Sequence, residues 1–274
     1  MTLHTRNKFI KFFLISSITL FALMLLTFII SSIRHSILIP PELRIPSFLK
    51  HISFMKNNFI ALLLSFLVLS LYTIASFHLL IRFFENTQTT EIIFFTGFLI
   101  SCMAESARFL TICLGLWQTF SNTLIFAGNI VLFGRTLAPL SFLCAALLSE
   151  TAQRQDIERN YIIMVTVSVV FAAIIPMNTA RISSTGLVTE GFIILINIFR
   201  VMLFLTAVIS FFIQGIKKNN NEYKHLASSA SILLLGYSML FGCDNFVFLI
   251  VGTASLIFGT YRYLLDIHKL YMRR

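Results

Sequence analysis

Charge is what this chain has least of. Asp, Glu, Lys and Arg make up 12% of its 274 residues, about half the ~25% of a soluble globular domain. Apolar residues make up 57%, with 30 Phe among them. A chain of that balance cannot shelter its apolar surface from water as one soluble domain, so soluble enzymes and soluble binding modules are excluded together. Glycine is also sparse, at 11 in the whole chain, and no internal repeat is visible. Both facts weigh against carriers built from repeated, broken helices.

Other absences narrow the chemistry. Four cysteines, Cys102, Cys113, Cys144 and Cys243, have no close pairing, which argues against disulfides and structural zinc. His4, His35, His51, His78, His225 and His268 have no metal-ligand spacing, so neither a metal nor a cofactor is expected. There is no Gly-x-Ser-x-Gly and no paired histidine to activate a serine. The connections at 82–91, 149–160 and 215–226 are too short for catalytic modules, and catalysis is not expected.

What the chain does have is a series of apolar runs of ~20 residues, the length a helix needs to cross ~30 Å of hydrocarbon. They fall at about 9–33, 59–81, 92–117, 123–148, 161–180, 191–214, 227–242 and 246–264. The expected fold is all-α, a polytopic transmembrane helix bundle of about eight spans forming one integral membrane unit over 1–274. The last two runs form one apolar stretch of 38 residues, which as a single helix would be about 57 Å long. Turn-forming residues at Gly242, Cys243, Asp244 and Asn245 divide it; a seven-span chain is the alternative. Residues 47–57 carry Phe48, Leu49, Ile52 and Met55 on one helical face, as in a helix lying in the outer interface or a plain re-entry turn. The first run reads as an uncleaved anchor, since it exceeds a signal's apolar region and no small-residue cleavage site follows.

The 21 Lys and Arg give a net charge of +10, but they cluster in short connections, which implies a membrane rather than nucleic acid as partner. With the N-terminus inside, thirteen fall on the inner side, including Arg6, Lys8, Lys11, Lys217, Lys218, Arg273 and Arg274. Five, Arg34, Arg44, Lys50, Lys56 and Arg181, fall outside. Both termini are therefore expected in the cytoplasm and the protein in a cell (plasma or inner) membrane.

Four ionisable residues lie within the runs, at ~2.5 to 3.5 kcal/mol each for a central position. Glu105 and Arg108 share a face of the third span, near Gly97, Ser101 and Ala104. Arg135 lies on one side of the fourth span with Gly128 and Pro139. Asn197 and Arg200 are three apart in the sixth. Counted from span midpoints, the four charges lie in one layer and sum to +2. That surplus requires an answer from backbone carbonyls, water, Asp244 at the outer turn, or an anionic ligand. The functional reading is that Arg108, Arg135, Arg200 and Asn197, with Glu105 as counter-ion, bind or transport an anionic small molecule or lipid. The competing reading is a non-catalytic sensory, scaffold or subunit protein, with a structural Glu105–Arg108 pair and a membrane-protein partner.

Overall fold

The computed structural model describes residues 3–34, 58–85, 87, 89–114, 122–148 and 157–272; the segment 47–57 lies outside them. These residues contain nine helical segments and one hairpin, in order α1 (Leu3–Ile33), α2 (Phe59–Phe84), α3 (Thr90–Ala104), α4 (Ala107–Cys113), α5 (Asn122–Leu147), α6 (Ile157–Ile174), β1 (Met177–Ile182), β2 (Val188–Glu190), α7 (Ile193–Lys217), α8 (Asn221–Phe241) and α9 (Phe246–Met272). Helices dominate because a segment surrounded by apolar material has to satisfy its backbone hydrogen bonds internally.

Among the described residues seven helices, counting α3 and α4 as the single stretch Thr90–Cys113, are long and apolar enough to cross a bilayer. Such helices are those of a multi-pass membrane protein. The remaining one, α8, falls short because its first half carries Asn221, Glu222, Lys224, Ser228, Ser229 and Ser231; it packs between α7 and α9. Gly242–Asn245 separates α8 from α9, and Asn245 Oδ1 accepts a hydrogen bond from Phe248 N at 2.9 Å, capping the new helix. Asn58 and Asn220 cap α2 and α8 in the same way.

The stretch Thr90–Cys113 is the hub, with 89% of an apolar 18-residue segment of it buried, against 11% for the corresponding segments of α1 and α7. Around it Phe98 meets Phe142 at 5.1 Å and Tyr237 at 5.7 Å, while Phe95 meets Tyr263 at 5.3 Å. Such ring pairs each contribute about 0.5 to 1.5 kcal/mol beyond area burial. Gly134 of α5 sits against α3 so closely that a Cβ there would come 2.9 Å from Ser101 O.

The start of α1 and the end of α9 share one end of the bundle. Arg6 of α1 donates to Phe84 O at 2.6 Å and Glu85 O at 3.1 Å, answering the last carbonyls of α2. Nearby Tyr271 of α9 donates to Glu91 of α3 at 2.7 Å. The opposite end gathers the α8–α9 turn and the hairpin, with Asn58 N donating to Asp244 O at 2.7 Å.

Three elements depart from the sequence reading. The third span is not one helix: it stops at Ala104, turns through Glu105 and Ser106, and restarts at Ala107. Ser106, Arg108 and Phe109 bond three residues back instead of four, a tightened turn of the kind found at functional or strained positions. The fifth span ends at Ile174 rather than 180, because Pro176 has no N–H to continue the helix. The residues that follow form a strand, a small exception to the all-α expectation.

Asp244 lies at the α8–α9 turn, where burial raises its carboxyl above the usual range and a hydrogen bond from Ser184 Oγ at 3.4 Å opposes the rise. The folded state therefore favours the protonated form. The stability this lends is complete below the ordinary carboxylate range and is lost as pH rises through the folded value. Asp244→Asn is expected to raise the melting temperature at about pH 8 and to leave it unchanged near about pH 3, as followed by circular dichroism at both values.

Candidate functional site

The turn at Glu105 projects its carboxylate between two arginines. Oε2 accepts from Arg108 Nη1 at 2.9 Å, and Oε1 accepts from Arg135 Nε at 2.9 Å and from Tyr237 OH at 3.2 Å. Glu105 and Arg108 are fully buried. This charged layer is where α3, α5 and α8 meet.

The hairpin reaches the same layer from one side. Its backbone turns through Ser183–Gly186, and Gly186 holds φ 74°, a left-handed conformation that disfavours side chains. A Cβ there would also meet Ile112 at 2.8 Å. The turn presents Thr185 O to Arg108, whose Nε and Nη2 donate to it at 3.1 and 2.9 Å, while the guanidinium lies 4.7 Å from the Phe66 ring centre. With Glu105 on Nη1, every nitrogen of Arg108 has a partner.

The end of β2 supplies a second carboxylate. Glu190 is buried, and its Oε1 accepts from Arg200 Nη2 at 2.6 Å and lies 3.7 Å from Arg135 Nη1. The layer therefore holds two carboxylates and three guanidiniums and sums to +1, not the +2 expected from sequence. Asp244 does not answer the arginines; it pairs with Ser184 and Asn245.

Arg135 and Arg200 remain less occupied than Arg108. Arg135 Nη2 reaches Phe241 O only at 3.4 Å, with the guanidinium 4.4 Å from the Phe241 ring centre. Arg200 Nη1 reaches Asn197 Oδ1 at 3.4 Å. Its Nε is buried with no hydrogen-bond partner, as is Glu190 Oε2. Pro139, one turn on from Arg135, cannot donate to the Arg135 carbonyl, which loosens α5 at this point. Beside these groups a cavity of about 390 Å³ opens between α5, α7 and α8. Arg135, Arg200, Asn197, Tyr237 and Ser238 supply its polar lining, and the remainder is apolar, Val201, Phe204, Leu205, Leu234 and Leu235 among it.

No family model, curated protein or solved structure matches this chain.

Of the residues singled out from sequence, Arg135, Arg200 and Asn197 lie on the cavity. Glu105 and Arg108 lie behind it, Arg108 closed off by Thr185 and Phe66. Sequence reasoning missed Glu190 and Tyr237. Glu190 stands one position before the sixth apolar run, and the unexplained positive surplus was the available sign that a further carboxylate had to come in. Tyr237 had no signal, being one aromatic residue in an apolar run. The layer offers convergent cationic donors and a buried, unpartnered N–H on an arginine that lines the cavity, which is the chemistry of holding an anion. Among the described residues no group of three His, Cys, Asp or Glu is placed to hold a metal.

Proposed function

We propose that this multi-pass membrane protein binds an anionic solute in the cavity flanked by Arg135 and Arg200, as the binding step of transport, with both termini on the cytoplasmic side of a plasma or inner membrane. The observation that carries the reading is the buried Arg200 Nε without a partner, beside a cavity and within a charged layer of net +1. Guanidinium forks suit carboxylates and phosphates, and one monoanion would bring the layer to neutrality. The orientation rests on the excess of Lys and Arg at the end that carries the termini. A second reading, a non-catalytic sensory, scaffold or subunit bundle, draws on the complete pairing of Arg108, which makes that arginine structural.

Equilibrium binding of radiolabelled acetate, benzoate, tetradecanoate and inorganic phosphate by the purified protein tests the proposal. At least one is expected to bind. Arg200→Gln weakens it by about tenfold or more, the loss of a charge-assisted hydrogen bond. Glu190→Gln tightens it by about tenfold through removal of a neighbouring negative charge. Binding of none, or a shift of both variants in the same direction, rejects the anion site.

A further inference from the structure

We infer that the anion is the headgroup of an amphiphile, a single carboxylate or phosphate on an apolar tail, which enters sideways from the bilayer with its head toward the hairpin end. This rests on the anion-binding reading above and adds the class of ligand, its route and its direction.

Three observations carry it. First, the mouth of the cavity is apolar. Val201 is 56%, Leu205 45% and Leu235 48% exposed, and these rim residues belong to α7 and α8, so the opening faces the flank of the bundle. A bare anion taking that route would have to shed its water in hydrocarbon, whereas an amphiphile already resides at the boundary with its tail in the apolar layer. Second, the polarity of the lining changes along the helix axis. On α7, Asn197 and Arg200 come first after the hairpin, and Phe204 and Leu205 lie deeper. On α8, which runs the other way, Tyr237 and Ser238 lie toward the hairpin, with the Phe241 ring beyond them, and Leu234 and Leu235 lie deeper. On both helices the polar lining residues thus lie on the hairpin side of Phe204, Leu205, Leu234 and Leu235, the order of head and tail in the adjacent leaflet. Third, depth and size agree. Arg200 lies seven residues into α7, about 10 Å from its start, within reach of a headgroup that sinks a short way. The cavity, about 390 Å³, falls in the ~300 to 1,000 Å³ range of small-molecule sites.

The charged layer then selects among amphiphiles. Arg200 Nε, which has no partner, and Arg135 Nη2 and Arg200 Nη1, whose hydrogen bonds are long at 3.4 Å, are the donors that a headgroup can recruit. Glu190, between the two arginines, sets the net charge such that one negative headgroup is accepted and a second is not.

The full-length protein, reconstituted in phosphatidylcholine vesicles, is photolabelled with tetradecanoate carrying a diazirine in its tail, and the labelled peptides are identified by mass spectrometry. Label is expected on Val201–Leu205 and on the α8 segment around Leu234, displaced about tenfold more effectively by tetradecanoate than by acetate or tetradecanol. Arg200→Gln and, independently, the rim substitution Leu205→Trp each reduce labelling by about tenfold. If acetate displaces the label as well as tetradecanoate does, the amphiphile inference is overturned and the anion site stands. If tetradecanol competes equally, or Arg200→Gln labels like the parent, the headgroup is not read and both fall.

Discussion

Glu105→Gln is expected to destabilise the folded bundle by about 3 to 5 kcal/mol, the cost of removing one partner from a buried ion pair. The substitution keeps the shape of the side chain and leaves one carbonyl oxygen, which can accept from Arg108 or from Arg135 but loses the charge that holds both. The layer then stands at +2, with Arg108 fully enclosed and unable to move its guanidinium toward water. Unfolding in mixed micelles of increasing denaturing detergent, followed by circular dichroism, measures the loss. The companion variant separates charge from packing. Replacing Glu105, Arg108 and Arg135 together by Leu or Met removes the charges as a set, and buried ion networks exchanged this way are often neutral or more stable. The triple variant is therefore expected to be at least as stable as Glu105→Gln, even though it changes three residues. A Glu105→Gln protein as stable as the parent would show that the central layer is well hydrated.

Gly134→Val is the second large effect, at about 3 kcal/mol, the upper part of the usual range for overfilling a packed contact. An added Cβ meets Ala104 Cβ at 2.7 Å and the Ser101 carbonyl oxygen at 2.9 Å. The second neighbour is backbone and cannot rotate away, so α5 must shift from α3. Because Ala104 and Gly134 immediately precede Glu105 and Arg135, that shift also lengthens the 2.9 Å ion pair between them. Ala104→Gly in the Gly134→Val background relieves one of the two collisions and is expected to recover part of the stability but not all of it, in the same detergent titration. Full recovery would place the strain on the side chain alone.

The helical character of the fold was legible because it depends on composition along the chain. Long apolar runs with few charges set the number and approximate places of the helices, and the turn at Gly242–Asn245 could be found from residue types that favour turns. The break at Glu105 was not legible. Nothing in the local residues, Met103, Ala104, Glu105 and Ser106, forbids a continuous helix, and the carboxylate's position between Arg108 and Arg135 accompanies the tightened turn. The hairpin was hidden for a different reason. Pro176 announced an interruption, but an interruption in an apolar run reads equally as a kink, and only packing against α4 shows Thr185 and Gly186 turned inward.

The sequence by itself determined that this chain consists of apolar helices and that four ionisable residues had to be accommodated among them, since both follow from transfer costs that depend on residue type. It also determined that the charges among those four could not be left unanswered. Tertiary structure alone decided what answers them: Glu190, brought in by the hairpin from a position outside the runs, the Thr185 carbonyl on Arg108 and, at 3.4 Å, the Phe241 carbonyl on Arg135. It decided as well that Arg108 is closed off while Arg200 borders open space. Partners of this kind lie 10 to 77 positions away in the chain, and which groups meet at such separations is set by how the helices pack, a property that no local pattern of residues carries.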